Sequence, residues 1–324
     1  MQQTFYDFSA FELFKDAKPL LVCDNAFDSF GIEFPCKVIR FNEFTSNPRY
    51  EDIQAGVEIF KKNKCDFMVA IGGGSSIDTA KAIKYYSRAD LPLMAVPTTS
   101  GTGSEATHFA VIYKNSEKQS IADEKLLPDY VVLQADLLRT LPLYQKKCTM
   151  LDALCQAMES WWSPKATPES IQYSKKAIHL ILSNMESYLR NEADGNHNML
   201  LASNLAGKAI NITTTTAPHA MSYKLTSLYG LPHGHAVAIC FPKVWRYMGN
   251  YDDIARALGQ QSHEEAISFF EDMLKRLEIL PPHNIQAEDL DVLTHSVNAE
   301  RLSNNPVPLS KDTIRNLYKE ILGV

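Results

Sequence analysis

Three of the chain's nine histidines fall between Pro218 and His235, in PHAMSYKLTSLYGLPHGH. Imidazole is the commonest nitrogen ligand of divalent metals, and His219 and His233 meet if HAMSYKLTSLYG forms a helix and LPHGH folds back onto it. Histidines beside a Gly/Pro-rich turn also cap helices or face solvent, so the pair alone leaves both readings open. Two further features bear on the choice: Asp152, in the helix-like run TMLDALCQAMESWW, and two turns rich in glycine, serine and threonine in the first half. A carboxylate with two imidazoles is a metal donor set, and a glycine turn suits a phosphate; together they imply a redox enzyme. For Asp152 the competing reading is a capping box with Thr149 as N-cap.

The elements that must hold these residues are legible in outline. Between positions 18 and 115 short apolar runs alternate with helical patterns: PLLVC, CKVIRF, a helix from about Tyr50 with Ile53, Val57 and Phe60 on one face, then DFMVAI. Such alternation implies a parallel sheet with crossover helices. DFMVAI runs into GGGSSIDTAKAIKYY, where Gly72, Gly73 and Gly74 permit a tight turn and a helix from about Ile77 aims free N–H groups at it. PLMAV then leads into PTTSGTGSEAT, with hydroxyls on Thr98, Thr99, Ser100, Thr102 and Ser104. Gly101 to Ala106 fits the G-x-G-x-x-A pattern, but no amphipathic helix follows it. Strand-like AVIY and YVVLQ come next.

Near Leu141 and Pro142 the character changes. Helical periodicity covers 149–162, 167–191, 198–213, 219–229, 235–247, 250–258, 262–276 and 310–321. The expected fold is an α/β parallel-sheet domain over 1–142 followed by an all-helical domain over 143–324, with ligands in the cleft between them.

Composition excludes several classes. A net charge of −6, with only short Lys/Arg runs, argues against a nucleic-acid surface. The six cysteines lack CxxC spacing and lie mostly in apolar runs, as reduced core thiols do. No run reaches membrane-spanning length and no secretory leader pattern opens the chain, so a soluble cytoplasmic protein is expected.

GGGSSIDTAK, PTTSGTGSEAT, DALCQAMES and HAMSYKLTSLYGLPHGHAVA, in this order, resemble the iron-dependent (group III) alcohol dehydrogenases, from about residue 18 to SVNAERLSNNP. The resemblance implies a dehydroquinate-synthase-like fold: a dinucleotide-binding domain followed by a helical metal-binding domain. It places Gly73, Gly74, Ser75 and Asp78 on the cofactor pyrophosphate and adds Thr98, Thr102, Thr107 and Lys118 as cofactor contacts. Asp152, His219 and His233 match three of four metal ligands and are the expected catalytic set, holding Fe(II) or alternatively Zn(II). The implied reaction is hydride transfer from a nicotinamide to a small aldehyde, with the metal as Lewis acid.

The chain departs from the family pattern at two places. Gln156 stands where the usual Asp-x-x-x-His has its histidine; at i+4 its amide oxygen shares the face of Asp152, where it completes the metal shell or bonds substrate or a metal-bound water. Tyr223 replaces a histidine found in many relatives, so no residue is assigned as general acid. Within the family, DALCQAMES, SYKLTSLYG and ERLSNNP are similar to the phosphonoacetaldehyde reductases, which share the glutamine.

Cofactor and substrate expectations follow. Asn42, at the end of CKVIRF, is neutral where NAD-specific relatives carry an acid on the ribose, and Arg40 and Arg49 are near in sequence; NADPH is expected over NADH, with Glu43 as a complication. Lys224 follows His219 by five residues, about 140° around a helix, beside the metal-facing side. The resemblance to the phosphonoacetaldehyde reductases makes Lys224 and Thr226 candidate contacts for a phosphonate, unless Lys224 is simply solvated. The expected activity is reduction of phosphonoacetaldehyde to 2-hydroxyethylphosphonate by a homodimer. Other readings are a general aldehyde reductase, a dehydroquinate-synthase-type lyase, and a metal-poor nucleotide binder.

Overall fold

Successive residues of the apolar runs face opposite sides of one sheet, as the period of a strand requires. Leu20, Val22, Met68 and Ala70 pack into one cluster, and Leu21, Cys23, Val69 and Ile71 into another. The computed structural model describes residues 2–115, 117–283, 285–286, 288–298 and 302–324. Its main sheet is six-stranded and parallel, in the order β1-β8-β5-β4-β2-β3. The strands are β1 (Gln3–Phe5), β2 (Pro19–Cys23), β3 (Ile39–Phe41), β4 (Phe67–Gly72), β5 (Leu93–Pro97) and β8 (Tyr130–Val132). An antiparallel hairpin of β6 (Phe109–Lys114) and β7 (Glu117–Ala122) stands apart from it.

Both faces of a parallel sheet need cover. One face packs on α1 (Tyr50–Asn63), which buries Ile53, Val57 and Phe60 as the sequence predicts, and on α2 (Gly74–Ser87). The other takes the short helical segment Phe8–Phe14, where Phe11 stacks on Phe34 at 5.3 Å. Each such buried side chain contributes about 1.5–3 kcal/mol.

From Leu143 every described element is helical: α3 (Leu143–Trp162), α4 (Pro168–Leu189), α5 (Ala193–Thr213), α6 (Ala217–Tyr229), α7 (His233–Met248), α8 (Asp252–Ala257), α9 (His263–Arg276), α10 (Asp289–Ser296) and α11 (Lys311–Leu322). They share one core around Trp162, Tyr188, Phe241, Trp245 and Phe270. Among the described residues no helix is long and apolar enough to cross a membrane. All six cysteines are free, and only Cys36 is not fully buried.

The halves are joined at the PTTSGTGSEAT turn. Gly103 sits at φ 61° and lies against Gly207 of α5; a Cβ on Gly207 would stand 2.7 Å from the Gly103 carbonyl oxygen. Beside it, Ser100 Oγ meets Tyr188 Oη at 2.7 Å and Asn204 donates to Glu105 at 3.1 Å. Only a short 3-10 turn (Ser104–Ala106) follows, so the G-x-G-x-x-A pattern here opens no nucleotide-binding helix.

Several boundaries differ from the sequence reading. Strands β1 and β7 and helix α10 carry too few periodic residues to be foreseen. Helix α2 starts at Gly74 rather than Ile77, because the glycine turn itself supplies the first helical residue. Helix α3 begins at Leu143, which puts Thr149 in mid-helix with its hydroxyl donating to Gln145 O at 2.9 Å. Thr149 is therefore no N-cap, and the capping-box reading of Asp152 falls. In SVNAERLSNNP, residues 299–301 lie outside the described residues; Asn304 donates to the carbonyls of Thr213 and Thr215 at 2.8 and 3.0 Å, tying down the entry to α6.

Candidate metal and cofactor site

Helix α3 carries Asp152, Gln156 and Glu159 at spacings of four and three, so all three project from one face. The facing residues come from α6, which presents His219, and from the first position of α7, His233. The turn between them is shorter than LPHGH, since the second half of that motif is already helix. Ligand atoms of Asp152, His219 and His233 all lie within 4.8 Å of one another. His219 Nε2 is 3.1 Å, and His233 Nε2 3.9 Å, from Asp152 Oδ1. Gly234 makes this approach possible: a Cβ there would lie 2.0 Å from the Cys148 carbonyl oxygen.

Gln156 tests whether this group suits a metal. Its side chain is 3% exposed, its Nε2 is 3.4 Å from Thr102 O, and its Oε1 is buried with no hydrogen-bond partner. An orphaned acceptor beside a carboxylate and two imidazoles is compatible with a metal ligand. The donor set of one carboxylate, two imidazoles and an amide oxygen fits Fe(II) or Zn(II).

Glu159 supports the site and was missed in the sequence, where it reads as one more helix acid. Fully buried, it sets Oε1 2.5 Å from His219 Nδ1, while its Oε2 accepts from Thr216 N at 2.6 Å and Thr216 Oγ1 at 2.9 Å. Nδ1–H donating to Glu159 turns Nε2 toward Asp152, the side on which a metal would be held. Burial alone would lower the His219 pKa, but the carboxylates of Glu159 and Asp152 outweigh it and push it up to about 9. Burial would likewise raise Asp152; the His233 and His219 imidazoles prevail and hold it below the usual carboxylate range. His235, the third histidine of the stretch, is elsewhere: it accepts from Tyr144 Oη and donates to Leu280 O, both at 2.8 Å, and packs α7 in place.

The expected cofactor residues converge on two abutting turns. Gly73 caps α2, Gly74 and Ser75 open it, and the Ser75 hydroxyl donates to Ser46 O. Thr98 is buried, and Thr102 Oγ1 accepts from Ser104 N at 3.2 Å. Asp78 and Thr107, also expected on the cofactor, lie beside the same turn. Asp78 accepts from Ser104 Oγ and from Val111 N at 2.9 Å, and the Thr107 hydroxyl is 3.2 Å from Lys81 Nζ. Lys81, wholly buried, donates to the carbonyls of Ser104, Thr107 and Phe109. Burial pulls its pKa down to about 8 against the attraction of Asp78 and Glu105. Asp78, Lys81 and Thr107 thus brace the turn from behind.

Asn42 lies one residue past β3 and donates to Asn25 Oδ1 at 3.2 Å. The arginines near it are compensated: Arg40 is bidentate to Asp28 at 2.5 and 3.2 Å, and Arg49 pairs with Asp52 at 3.2 Å. Lys118 reaches from β7 to α6, its Nζ 3.1 Å from the Tyr223 ring centroid; that ring is stacked on His233 at 5.6 Å. Lys224 is half-buried, and among the described residues no carboxylate lies within ion-pair distance of it. Thr226 Oγ1 is buried without a partner.

Residues 11–135 match iron-containing alcohol dehydrogenase, and residues 147–322 the C-terminal part of the Fe-containing alcohol dehydrogenase family. The chain belongs to the iron-containing alcohol dehydrogenase family and is an oxidoreductase of that type. Alcohol dehydrogenase 4 of Schizosaccharomyces pombe is 30% identical over 85% of this chain and 73% of its own. Phosphonoacetaldehyde reductase of Streptomyces viridochromogenes is 34% identical over 57% of this chain, but only 53% of its own length is matched. Among solved structures, sulfoacetaldehyde reductase from Bifidobacterium kashiwanohense in complex with NAD+ superposes with a TM-score of 0.91 at 25% identity, covering 100% of this chain and 97% of that one.

Proposed function

We propose that the chain is a metal-dependent, NADPH-preferring reductase of a small anionic aldehyde, with phosphonoacetaldehyde reduced to 2-hydroxyethylphosphonate. The observation that carries the metal chemistry is the unpartnered Gln156 Oε1 beside the Asp152, His219 and His233 cluster. Those four residues would hold the ion, and when bound it supplies Lewis-acid polarisation of the carbonyl.

The chain's own residues do the remaining work. Glu159 fixes the His219 tautomer, and the N-terminus of α2 with Gly73, Gly74 and Ser75 receives the pyrophosphate. Thr98, Thr102 and Lys118 align the nicotinamide half in the cleft between residues 1–142 and 143–324. Asn42 carries no charge to repel a 2′-phosphate, which favours NADPH. The substrate class rests on Lys224, a half-buried cation on the helix that carries His219, with the orphaned Thr226 hydroxyl two residues further on. Two similar proteins act, by name, on two-carbon aldehydes bearing a phosphonate or a sulfonate. Six free thiols suit a reducing compartment, and we place the enzyme in the cytoplasm as a homodimer.

The test is the rate of NADPH oxidation by the Fe(II)-loaded protein with phosphonoacetaldehyde and with propanal. A kcat/KM at least tenfold higher for the phosphonate supports the reading; equal values, or a preference for propanal, reduce it to a general aldehyde reductase.

A further inference from the structure

We infer that Gln156 is a positioning residue that joins the metal site to the cofactor turn, so that the ion and the nicotinamide cofactor each tighten the binding of the other. The inference rests on the metal and cofactor reading above and adds to it a coupling between the two halves of the chain. The two ends of the Gln156 amide have different surroundings. Oε1 is the orphaned acceptor, and Nε2 donates at 3.4 Å to the carbonyl of Thr102 in PTTSGTGSEAT. Gln156 stands one turn from Asp152 on α3 and is among the groups that favour its ionised carboxylate.

Thr102 is seated between the halves. Its neighbours lie against α3 and α5: a Cβ on Gly101 would stand 2.7 Å from Thr149 Cβ, and one on Gly103 2.5 Å from Gly207 Cα. Its side chain meets the start of α2, where a Cβ on Gly74 would stand 2.9 Å from Thr102 Cγ2 and Oγ1. One residue thus touches the Gln156 amide on one side and the glycine turn proposed for the pyrophosphate on the other.

An amide has two orientations related by a half-turn of its last torsion, and they offer each side different groups. In the orientation found here the nitrogen holds the Thr102 carbonyl and the oxygen is left for a cation. In the other, oxygen would meet the carbonyl, a repulsive pair, and the N–H groups would point at the ligands. A cation at the cluster attracts Oε1 and repels the N–H dipoles, so it selects the orientation that holds Thr102. A cofactor seated on Gly73, Gly74 and Thr102 fixes the carbonyl where only an N–H suits it, and so selects the same orientation from the other side. By linkage the factor is equal in both directions. NADPH binding does not require the ion; it is tightened by it.

Gln156→Glu keeps an oxygen for the ion and removes the N–H; Gln156→Ala removes both. For these and wild type, Zn(II) affinity is measured against a competing chelator without and with saturating NADPH, and NADPH affinity by calorimetry without and with saturating Zn(II). The expected wild-type coupling is about three- to tenfold and the same in the two titrations, the size that one hydrogen bond gives. Gln156→Glu should bind Zn(II) at least as tightly as wild type in the absence of NADPH, yet its factor should fall to one or below; in Gln156→Ala it should be one. A factor of one in wild type overturns the inference and leaves Gln156 a ligand alone. A wild-type factor retained in either variant overturns it too and assigns the coupling to the charge of the ion. A wild type that holds no Zn(II) overturns the metal reading itself, and this inference with it.

Discussion

Glu159 Oε1 stands 2.5 Å from His219 Nδ1, and the other oxygen of the same carboxylate holds Thr216 at the start of α6. One buried group thus sets both the tautomer of a candidate ligand and the position of the helix that carries it. Glu159→Gln turns an amide N–H toward donors on one side or the other. It is expected to weaken metal affinity about 10- to 100-fold, the usual effect of losing such a partner, while the far-ultraviolet circular dichroism is retained. Titration of Fe(II) or Zn(II) against a competing chelator measures it; wild-type affinity in the variant would assign Glu159 to packing alone.

Gln156 separates a metal ligand from a bystander. Gln156→Ala removes the orphaned oxygen and should lower metal affinity, whereas Gln156→His, which restores an imidazole at i+4 from Asp152, should match or exceed wild type. If both variants bind metal as the parent does, Gln156 is outside the shell.

How much of this was legible from residues alone differs by level. The glycine turn before α2 and the apolar face of α1 are local patterns, and local patterns survive folding. That Asp152, His219 and His233 come together was expected from the histidine-rich stretch and from the family resemblance, which singled out Asp152. Glu159 was not, because a helix acid is common and only its burial against His219 distinguishes it. The brace formed by Asp78 and Lys81 was hidden for a related reason: the backbone N–H and carbonyl groups it holds belong to residues more than twenty positions downstream, and no side-chain pattern announces a backbone partner. The 3-10 segment over Phe8–Phe14 escaped because its apolar residues follow neither a helical nor a strand period.

Gly234 is a steric requirement of the site. Its Cβ in Gly234→Ala would lie 2.0 Å from Cys148 O and 2.9 Å from Asp152 Cβ, so α7 must retreat from α3 and take His233 with it. Metal affinity should fall, with about 1–3 kcal/mol of stability lost to overpacking and NADPH binding unaltered. Urea unfolding and metal titration of the same preparation read both effects.

Asn42→Asp places a carboxylate where the ribose is expected. The kcat/KM ratio of NADPH to NADH should fall by about tenfold or more, since a like charge near a 2′-phosphate readily exceeds the ~1.4 kcal/mol this requires. An unmoved ratio would locate the adenosine end elsewhere.

Lys146 gives a pH dependence of stability. It is buried, its ammonium bonded to Tyr188 O, Asn191 Oδ1 and Asn196 Oδ1, and burial lowers its pKa from 10.5 to about 8. A base with a depressed folded pKa binds fewer protons folded than unfolded between those two values, so its contribution to stability rises as pH rises through that window. Relative to Lys146→Met, wild type should therefore gain stability from pH 8 to pH 10 in denaturant titrations. A constant difference would mean that Lys146 titrates normally.

One divalent ion, held by Asp152, Gln156, His219 and His233, is expected to be required for turnover. Protein stripped by chelator without oxygen should lose aldehyde reduction while still binding NADPH, and should recover it as one equivalent of Fe(II) per chain is added; His233→Ala should bind NADPH but neither retain the metal nor recover. Full turnover in the stripped protein, or in His233→Ala after chelation, would contradict the account.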